Sequence, residues 1–189
     1  MANIVFDWFG VVCNKALIEW VRGLAVTEGI FQNVLALADL LDAGQITLVE
    51  FQRGLAALVD HPVERVHQDL MARVVVNELV VAIARRLNEK HKVSVLSNVN
   101  AEFIAEIVIK RDLASLFNPI IASSALKLIK PNPEIFRRAF EILQCRPKEV
   151  VFIDDTVGHV EVARTLGMTG IVFESADRLE RDLLELGLL

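Results

Sequence analysis

The sequence predicts an α/β fold in which a parallel sheet lies between layers of helices. Two apolar runs end in acidic residues: residues 3–6 precede Asp7, and residues 150–153 precede Asp154 and Asp155. Continuous apolar runs of four or five residues are typical of strands buried on both faces of a parallel sheet. Helical patterns separate the later runs, as right-handed crossovers between parallel strands require. We therefore expect a sheet whose carboxyl edge, where such folds bind ligands, carries several carboxylates.

Five segments are predicted as strands, and helices connect the last four. The strands are residues 3–7, 92–97, 119–122, 150–154 and 169–173, and the helices lie near 100–115, 133–144, 158–166 and 176–187. Asn132 is a good N-cap for the helix that begins with Pro133, because proline suits the first helical position. Gly167 is predicted to end the helix before the last strand. The pattern indicates a Rossmann-like parallel sheet core with helices on both faces.

The segment between the first two strands is too long for one crossover and is predicted to be an inserted helical cap. Its helices are expected near 15–27, 30–42, 47–59 and 63–73, and a fifth, near 77–89, is the crossover helix itself. We predict a core domain of residues 1–14 and 75–189 and a helical cap domain of residues 15–74. The three valines at 74–76 fit either a strand or a buried helix, and we favour a helix.

One segment of the predicted cap has acids and a glycine at positions typical of an EF-hand calcium loop. Leu41 and Ala43 stand where that loop needs oxygen ligands, so too few remain for calcium. We favour a structural interpretation, in which Gly44 ends one helix and Thr47 forms a capping box with Glu50 for the next.

Composition narrows the class of protein without identifying it. The 189 residues carry a net charge of −5, which argues against nucleic acid or an anionic membrane as a partner. Cys13 and Cys145 are too few for a disulfide framework, so we expect a reducing, cytoplasmic location. Because Asp7 interrupts the apolar N-terminal run, we do not expect that run to be a signal peptide. No apolar run is long enough to span a membrane. The mean hydropathy of +0.44 fits a buried sheet or a subunit interface, so both a monomer and a homodimer remain open.

Three carboxylates at one sheet edge create an electrostatic problem. At about 5 Å and an effective dielectric constant near 20, each pair of charges costs roughly 3 kcal/mol. A hard cation such as Mg²⁺ turns this repulsion into attraction. Asp7, Asp154 and Asp155 therefore indicate a metal site.

Four polar motifs follow the predicted strands in order. They are Asp7, then Ser97-Asn98, then Lys130-Pro131, then Asp154-Asp155. Taken singly, Asp7 could cap a turn and the paired acid could be an N-cap. In this order and spacing, over nearly the whole chain and with a cap after the first motif, the set resembles the haloacid dehalogenase-like hydrolase superfamily.

The resemblance implies a Mg²⁺-dependent phosphatase that acts on a small phosphorylated metabolite through an aspartyl-phosphate. Asp7 would be the nucleophile and a metal ligand. Asp154 would bind the metal directly, and Asp155 through water or a hydrogen bond. By analogy, Phe9 would contribute its main-chain carbonyl as a further metal ligand.

The same resemblance implies a cradle for the transferred phosphoryl group. Lys130 would neutralise both Asp7 and a phosphoryl oxygen. Ser97 would donate its hydroxyl hydrogen, and backbone N–H groups around Asn98 and Trp8 would complete the cradle. Asp7, Ser97 and Lys130 are thus the predicted catalytic residues.

Two positions depart from the family pattern. Typical phosphatases carry a second aspartate, the general acid and base, where this chain has Phe9, and losing such a group commonly costs about 10²–10⁴-fold in rate. Some sugar-phosphatase-like branches also lack it. His159 stands where relatives often have asparagine, and we interpret it as a turn residue. Lys127 is expected at the solvated surface without a role, and His61 and His67 are expected at the surface or at helix ends rather than as metal ligands.

Phe9 also leaves two alternatives open. Dehalogenases of the superfamily carry an aromatic residue at this position and release halide without a metal, so a metal-independent 2-haloacid dehalogenase is one of them. These enzymes generally replace the first acid of the last motif, whereas Asp154 is present here. The other is a binding protein of the same fold with little or no catalytic activity.

Overall fold

The computed structural model describes residues 1–189 and contains one five-stranded sheet. The strands are β1 (Asn3–Phe6), β2 (Lys92–Ser97), β3 (Ile120–Ala122), β4 (Val150–Asp154) and β5 (Thr169–Val172). All neighbours are parallel, in the order β3-β2-β1-β4-β5. The apolar central strand, β1, has Phe6 beside Val95 of β2 and Ile153 of β4. The predicted α/β, Rossmann-like fold is confirmed.

Ten helices surround or extend the sheet. They are α1 (Ala16–Gly23), α2 (Glu28–Asp42), α3 (Leu48–Val59), α4 (Val63–Ala72), α5 (Glu78–Asn88), α6 (Ala101–Lys110), α7 (Ser123–Leu126), α8 (Pro133–Leu143), α9 (Val157–Thr165) and α10 (Ala176–Glu185). None combines the length and the apolar character needed to cross a lipid bilayer. The short α7 and a single 3₁₀ turn, Pro147–Glu149, are elements that the sequence pattern did not predict.

The sheet is buried on both faces, as its continuous apolar strands require. Alternate residues of β1 point to opposite sides, so Phe6 packs with α5, α6 and α10, whereas Val5 packs with α8 and α9. The first layer contains 29 buried residues and the second 11. This two-sided burial stabilises β1 and β4 and so fixes the positions of the acids that come after them.

Helices α1–α4, which we call the cap helices, form a third apolar cluster of their own. Trp20, Phe31, Phe51 and Leu55 are among its ten buried residues. Their bounds match the helices predicted for this segment to within a few residues.

The helix predicted at residues 74–76 is wrong. Val76 instead forms an antiparallel bridge with Cys13, and the Asn77 N–H donates to the Val12 carbonyl at 2.8 Å. The two chain connections between the cap helices and the sheet therefore run side by side. Hydrogen bonds between these connections replace the intrahelical bonds that the valine run would otherwise have made.

The turn between α2 and α3 confirms the structural interpretation of the EF-hand-like segment. Thr47 accepts from the Glu50 N–H at 3.2 Å, and Glu50 accepts from the Thr47 N–H at 2.8 Å, which completes the capping box. Gly44 has a φ of +65°. A Cβ atom there would lie 2.4 Å from the carbonyl oxygen of Ser124, so the turn lies directly against α7.

Gly44→Ala is therefore expected to destabilise the protein by about 1–3 kcal/mol, because the left-handed backbone and the clash with main-chain atoms act together. Urea unfolding monitored by circular dichroism measures the change. Gly158→Ala is the control, because a Cβ atom at Gly158 meets nothing within 4 Å. Equal stability of Gly44→Ala and wild type would mean that the turn is not pressed against α7.

Candidate active site

Three aspartates converge at the carboxyl edge of the sheet. Asp7 follows β1, Asp154 is the last residue of β4, and Asp155 comes next. Because β1 and β4 are adjacent and parallel, with the Asp7 N–H donating to the Ile153 carbonyl at 2.8 Å, these side chains reach one place. One carboxylate oxygen from each lies within 4.8 Å of the others.

Lys130 holds two of these acids together. Its ammonium group lies 2.9 Å from Asp7 and 2.6 Å from Asp154, and it donates to the Leu96 carbonyl at 3.0 Å. The Lys130 side chain has no solvent exposure. Burial alone would lower the pKa of Lys130, but the charges of Asp7 and Asp154 raise it above its ordinary value. Lys130 is therefore a permanent cation between the two carboxylates.

The two buried acids have different pKa values. Burial raises the pKa of Asp7; the Lys130 charge opposes this effect and the Asp154 charge adds to it. Burial also disfavours ionised Asp154, but a hydrogen bond from His159 and the charge of Lys130 lower the pKa of Asp154 to about 2. Asp154 is thus ionised at every ordinary pH.

The loop after β2 positions Lys130 through Asn98. The Asn98 side-chain amide donates to the Lys130 carbonyl at 3.0 Å, and its oxygen accepts from the Lys130 N–H at 2.7 Å. Ser97, at the end of β2, is 1% exposed and lies beside Asp7, whose pKa it lowers by hydrogen bonding. The structure thus brings Ser97, Asn98 and Lys130 to the aspartates, and the Asn98 side chain is occupied in positioning the lysine.

Asp155 is paired with a lysine that the sequence analysis did not single out. Lys15, just before α1, lies 2.6 Å from Asp155, and 41% of its side chain is exposed. Gly10, at a φ of +92°, makes room for this pair, since a Cβ atom there would lie 2.5 Å from Asp155 and 2.6 Å from Lys15.

The interpretation of His159 as a turn residue is wrong, because it lies in α9 and its side chain contacts Asp154. Its Nδ1–H lies 3.0 Å from Asp154 and donates to it, because an ionised carboxylate can only accept. The contact arises because His159 is the third residue of α9, which begins three residues after Asp154, so the ring lies within reach of that carboxylate.

Trp8 and Phe9 lie on different sides of the chain. The Trp8 side chain is fully buried and packs edge-on against Phe117, and the main-chain N–H of Trp8 donates to the Asp7 carboxylate at 2.8 Å. Binding of phosphate by the Trp8 N–H therefore stays a prediction. Phe9 lines the cavity beside Asp7 and stacks on Phe103 of α6, with ring centroids 6.4 Å apart.

A cavity of about 380 Å³ separates the aspartates from the cap helices. Apart from the predicted residues, polar groups lining it include Asp39, Asp42, Asn100 and His67. His67, expected at the surface or at a helix end rather than as a metal ligand, lies within α4 and lines the cavity, where it accepts from Gln52 and donates to Glu106 of α6 at 2.8 Å. The EF-hand-like segment contains Asp39 and Asp42, but no local motif linked these two residues or His67 to the site, because only the packing of the cap helices onto the core brings them here.

The donors at the sheet edge fit a hard divalent cation. Carboxylate oxygens are the ligands that Mg²⁺ prefers, and three of them converge here. Lys130 and Lys15 neutralise only part of their charge. Asp7, Asp154 and Asp155 are the residues that would hold the ion.

The fold and this edge define a class: α/β proteins with helices inserted after the first strand and converging acids beside a buried lysine. The model of the haloacid dehalogenase-like hydrolases matches residues 1–167. The chain belongs to this hydrolase family.

The individual proteins similar in sequence match only part of this chain. Drimenol cyclase drtB of Aspergillus calidoustus is 29% identical over 101 residues, which are 53% of this chain and 19% of that protein. Bifunctional epoxide hydrolase 2 of Sus scrofa is 35% identical over 72 residues, which are 38% of this chain and 13% of that protein. The chain thus matches less than a fifth of the length of either relative.

Solved structures match over almost the full length. A haloacid dehalogenase family enzyme of Bacteroides thetaiotaomicron is 25% identical, with a TM-score of 0.78 over 96% of this chain and 98% of that chain. A structure of that wild-type enzyme contains magnesium and inorganic phosphate. The L-2-haloacid dehalogenase of Xanthobacter autotrophicus has a TM-score of 0.65 at 18% identity, over 98% of this chain and 83% of that chain, which shows a shared fold only.

Proposed function

We propose that this protein is a Mg²⁺-dependent hydrolase of phosphate monoesters that acts through a phosphorylated Asp7. The observation that carries the proposal is the buried Lys130, 2.9 Å from Asp7 and 2.6 Å from Asp154, at one end of a cavity large enough for a small organic phosphate. Lys130 opposes the rise in the Asp7 pKa that burial causes, which favours the ionised nucleophile, and its charge attracts a phosphoryl oxygen.

The neighbouring groups can receive the phosphoryl oxygens. The Ser97 hydroxyl is a donor beside Asp7. The N–H groups of Phe9 and Asn98 make no hydrogen bond within the protein, so they are free to donate to an oxyanion. When bound, Mg²⁺ would supply further stabilisation of the charge on the phosphoryl group.

A similar solved structure supports the choice of a magnesium-dependent phosphatase. The Bacteroides enzyme, similar over nearly its whole length, binds magnesium and inorganic phosphate together in one structure. That pair is what a magnesium-dependent phosphatase holds after hydrolysis. The paired Asp154 and Asp155 are the residues that would hold the same ion in this chain.

The dehalogenase alternative depends on Phe9, which lines the cavity beside the nucleophile as an aromatic side chain. It predicts release of halide from a 2-haloacid in the presence of a chelator. The three converging acids argue against it, since a metal-free site gains nothing from their mutual repulsion. Assaying 2-chloropropionate with EDTA decides between the two reactions.

The cavity walls favour an apolar organic group on the phosphate. Twelve of the 25 residues that line the cavity are hydrophobic. The cap side contributes large apolar side chains: Leu17, Leu35, Leu41, Leu48, Phe51 and Leu70. An apolar surface of this kind binds hydrocarbon better than the hydroxyl groups of a sugar.

In a series of n-alkyl phosphates, kcat/KM is therefore expected to rise about two- to fourfold per added methylene until the cavity is full, since each buried methylene contributes about 0.8 kcal/mol. EDTA should stop the reaction and Mg²⁺ should restore it. Phosphate release measures both effects, with glucose 6-phosphate as the polar comparison. Turnover that resists EDTA would contradict the metal-dependent mechanism, and complete absence of turnover on a broad phosphate panel would favour a binding protein.

A further inference from the structure

We propose that Asp42, at the end of the cap helix α2, supplies the general acid and base that Phe9 does not; this rests on the proposed function. Phe9 occupies the position of the usual acid and lines the cavity from the core side. Asp42 lines the same cavity from the cap side, where the organic part of a substrate bound at Asp7 would lie.

The main chain at Asp42 is hydrogen bonded to the core domain, although Asp42 lies at the end of a helix. The Ser123 hydroxyl donates to the Asp42 carbonyl at 2.6 Å and accepts from the Val99 N–H at 2.8 Å. Val99 belongs to the loop that also contains Asn98. A single buried hydroxyl thus links Asp42 to the loop beside the nucleophile, and the close approach of Gly44 to α7 holds the next turn.

The Asp42 carboxylate is available for proton transfer, since it makes no hydrogen bond or ion pair within the protein. The groups whose charges act on it are Asp39 on its own helix, and Asp7 and Lys130 from the core. Burial, with the charges of Asp39 and Asp7, raises the pKa of Asp42 from 3.8 to about 7, where a carboxylic acid can donate a proton at neutral pH.

The other candidates in the cavity are less suited to the role. Asp39 lies one turn earlier on α2 and is exposed at the cavity mouth. Both ring nitrogens of His67 are occupied, by Gln52 and Glu106. His159 is hydrogen bonded to Asp154.

The proton transfers balance over one turnover. An Asp7 oxygen attacks phosphorus, the bond from phosphorus to the leaving oxygen breaks, and the Asp42 carboxyl gives its proton to that oxygen, which leaves as an alcohol. Water then attacks the phosphorus of the aspartyl-phosphate and passes a proton to the Asp42 carboxylate. The bond between phosphorus and Asp7 breaks, which restores both acids and releases inorganic phosphate.

Rapid-mixing assays of Asp42→Asn with two substrates test the proposal. Nitrophenolate leaves without protonation, so 4-nitrophenyl phosphate should still give a burst of one nitrophenolate per enzyme, followed by slow turnover. Hexyl phosphate has a poor leaving group, and release of hexanol should slow about 10²–10⁴-fold. Adding Phe9→Asp to Asp42→Asn should restore much of the hexanol release, because the acid returns at the family position.

Asp177→Asn, the same chemical change at an exposed aspartate of α10 outside the cavity, is the control and should stay within about threefold of wild type on both substrates. Equal loss in Asp177→Asn and Asp42→Asn, absence of the nitrophenolate burst in Asp42→Asn, or release of hexanol at the wild-type rate in Asp42→Asn would overturn the role of Asp42. Wild-type protein that releases neither alcohol would overturn the proposed function as well, so the two failures are distinguishable.

Thermal unfolding gives a readout that does not depend on activity. The folded chain keeps the Asp42 proton up to about pH 7, whereas the unfolded chain loses it near 3.8, so wild-type stability falls as pH rises between these values. Asp42→Asn should therefore raise Tm relative to wild type at pH 8 and leave it nearly unchanged at pH 4. Absence of this difference would show that Asp42 is not a buried acid and would overturn the proposal.

Discussion

Asp7→Asn is expected to abolish phosphate-ester hydrolysis, lowering kcat by roughly 10⁴-fold or more, as loss of a nucleophile does in other covalent mechanisms. The amide cannot form the acyl phosphate. Lys130 and Asp154 would remain in place, but the Asp154 carboxylate is engaged by Lys130, His159 and the Thr156 N–H and so is a poor substitute for the nucleophile. Steady-state release of phosphate from 4-nitrophenyl phosphate with saturating Mg²⁺ measures the loss.

The variant should nevertheless fold. Asparagine has the shape of aspartate, can still accept from the Trp8 N–H, and removes a charge whose burial is unfavourable. Asp177→Asn, an exposed aspartate of α10, makes the same chemical change away from the site and should retain full activity. Turnover that survives in folded Asp7→Asn would exclude the aspartyl-phosphate mechanism.

Lys130→Met is expected to destabilise the protein by about 3–5 kcal/mol, because removing one partner of a buried ion pair leaves its charges without compensation. Asp7 and Asp154 would then repel each other in a site from which Lys130 excludes solvent. Their pKa values would rise in the folded state, so the loss of stability should be greater at pH 8 than at pH 5. Urea unfolding at the two pH values measures it.

Lys127→Met is the matched control for this change. Lys127 lies three residues earlier and is exposed, so its replacement should alter the free energy of unfolding by less than about 0.5 kcal/mol. If the three acids hold Mg²⁺, adding it should recover part of the stability lost in Lys130→Met, since a ligand of the folded state stabilises that state. A Lys130→Met protein as stable as wild type at pH 8 would mean that the lysine does not compensate these acids.

Local rules were sufficient for the sheet and for many helix ends. The runs before Asp7 and Asp155 had to be buried on both faces, and parallel strands bring the residues at their carboxyl ends to one edge. Thr47 with Glu50, and Asn132 before Pro133, predicted helix starts because backbone N–H groups at those positions need local acceptors. The same reasoning failed for residues 74–76, whose hydrogen-bond partners lie about 60 residues earlier in the chain.

The site residues also fall into two groups, those that local rules could predict and those that they could not. Ser97, Lys130 and Asp154 could be predicted because each lies at or near a strand end, where its direction follows from the strand. Asp42 and His67 could not, because α2 and α4 meet the core only through contacts such as those of Ser123 and Glu106.

The sequence by itself determined the parallel sheet and the acids at its carboxyl edge, since hydrophobic periodicity and strand direction are local properties. The resemblance to the family added that Phe9 replaces the usual acid. Only the tertiary structure decided which side chains face those acids from the cap helices. That arrangement depends on packing between segments far apart in the chain, and its main consequence is that Asp42 lines the same cavity as Phe9.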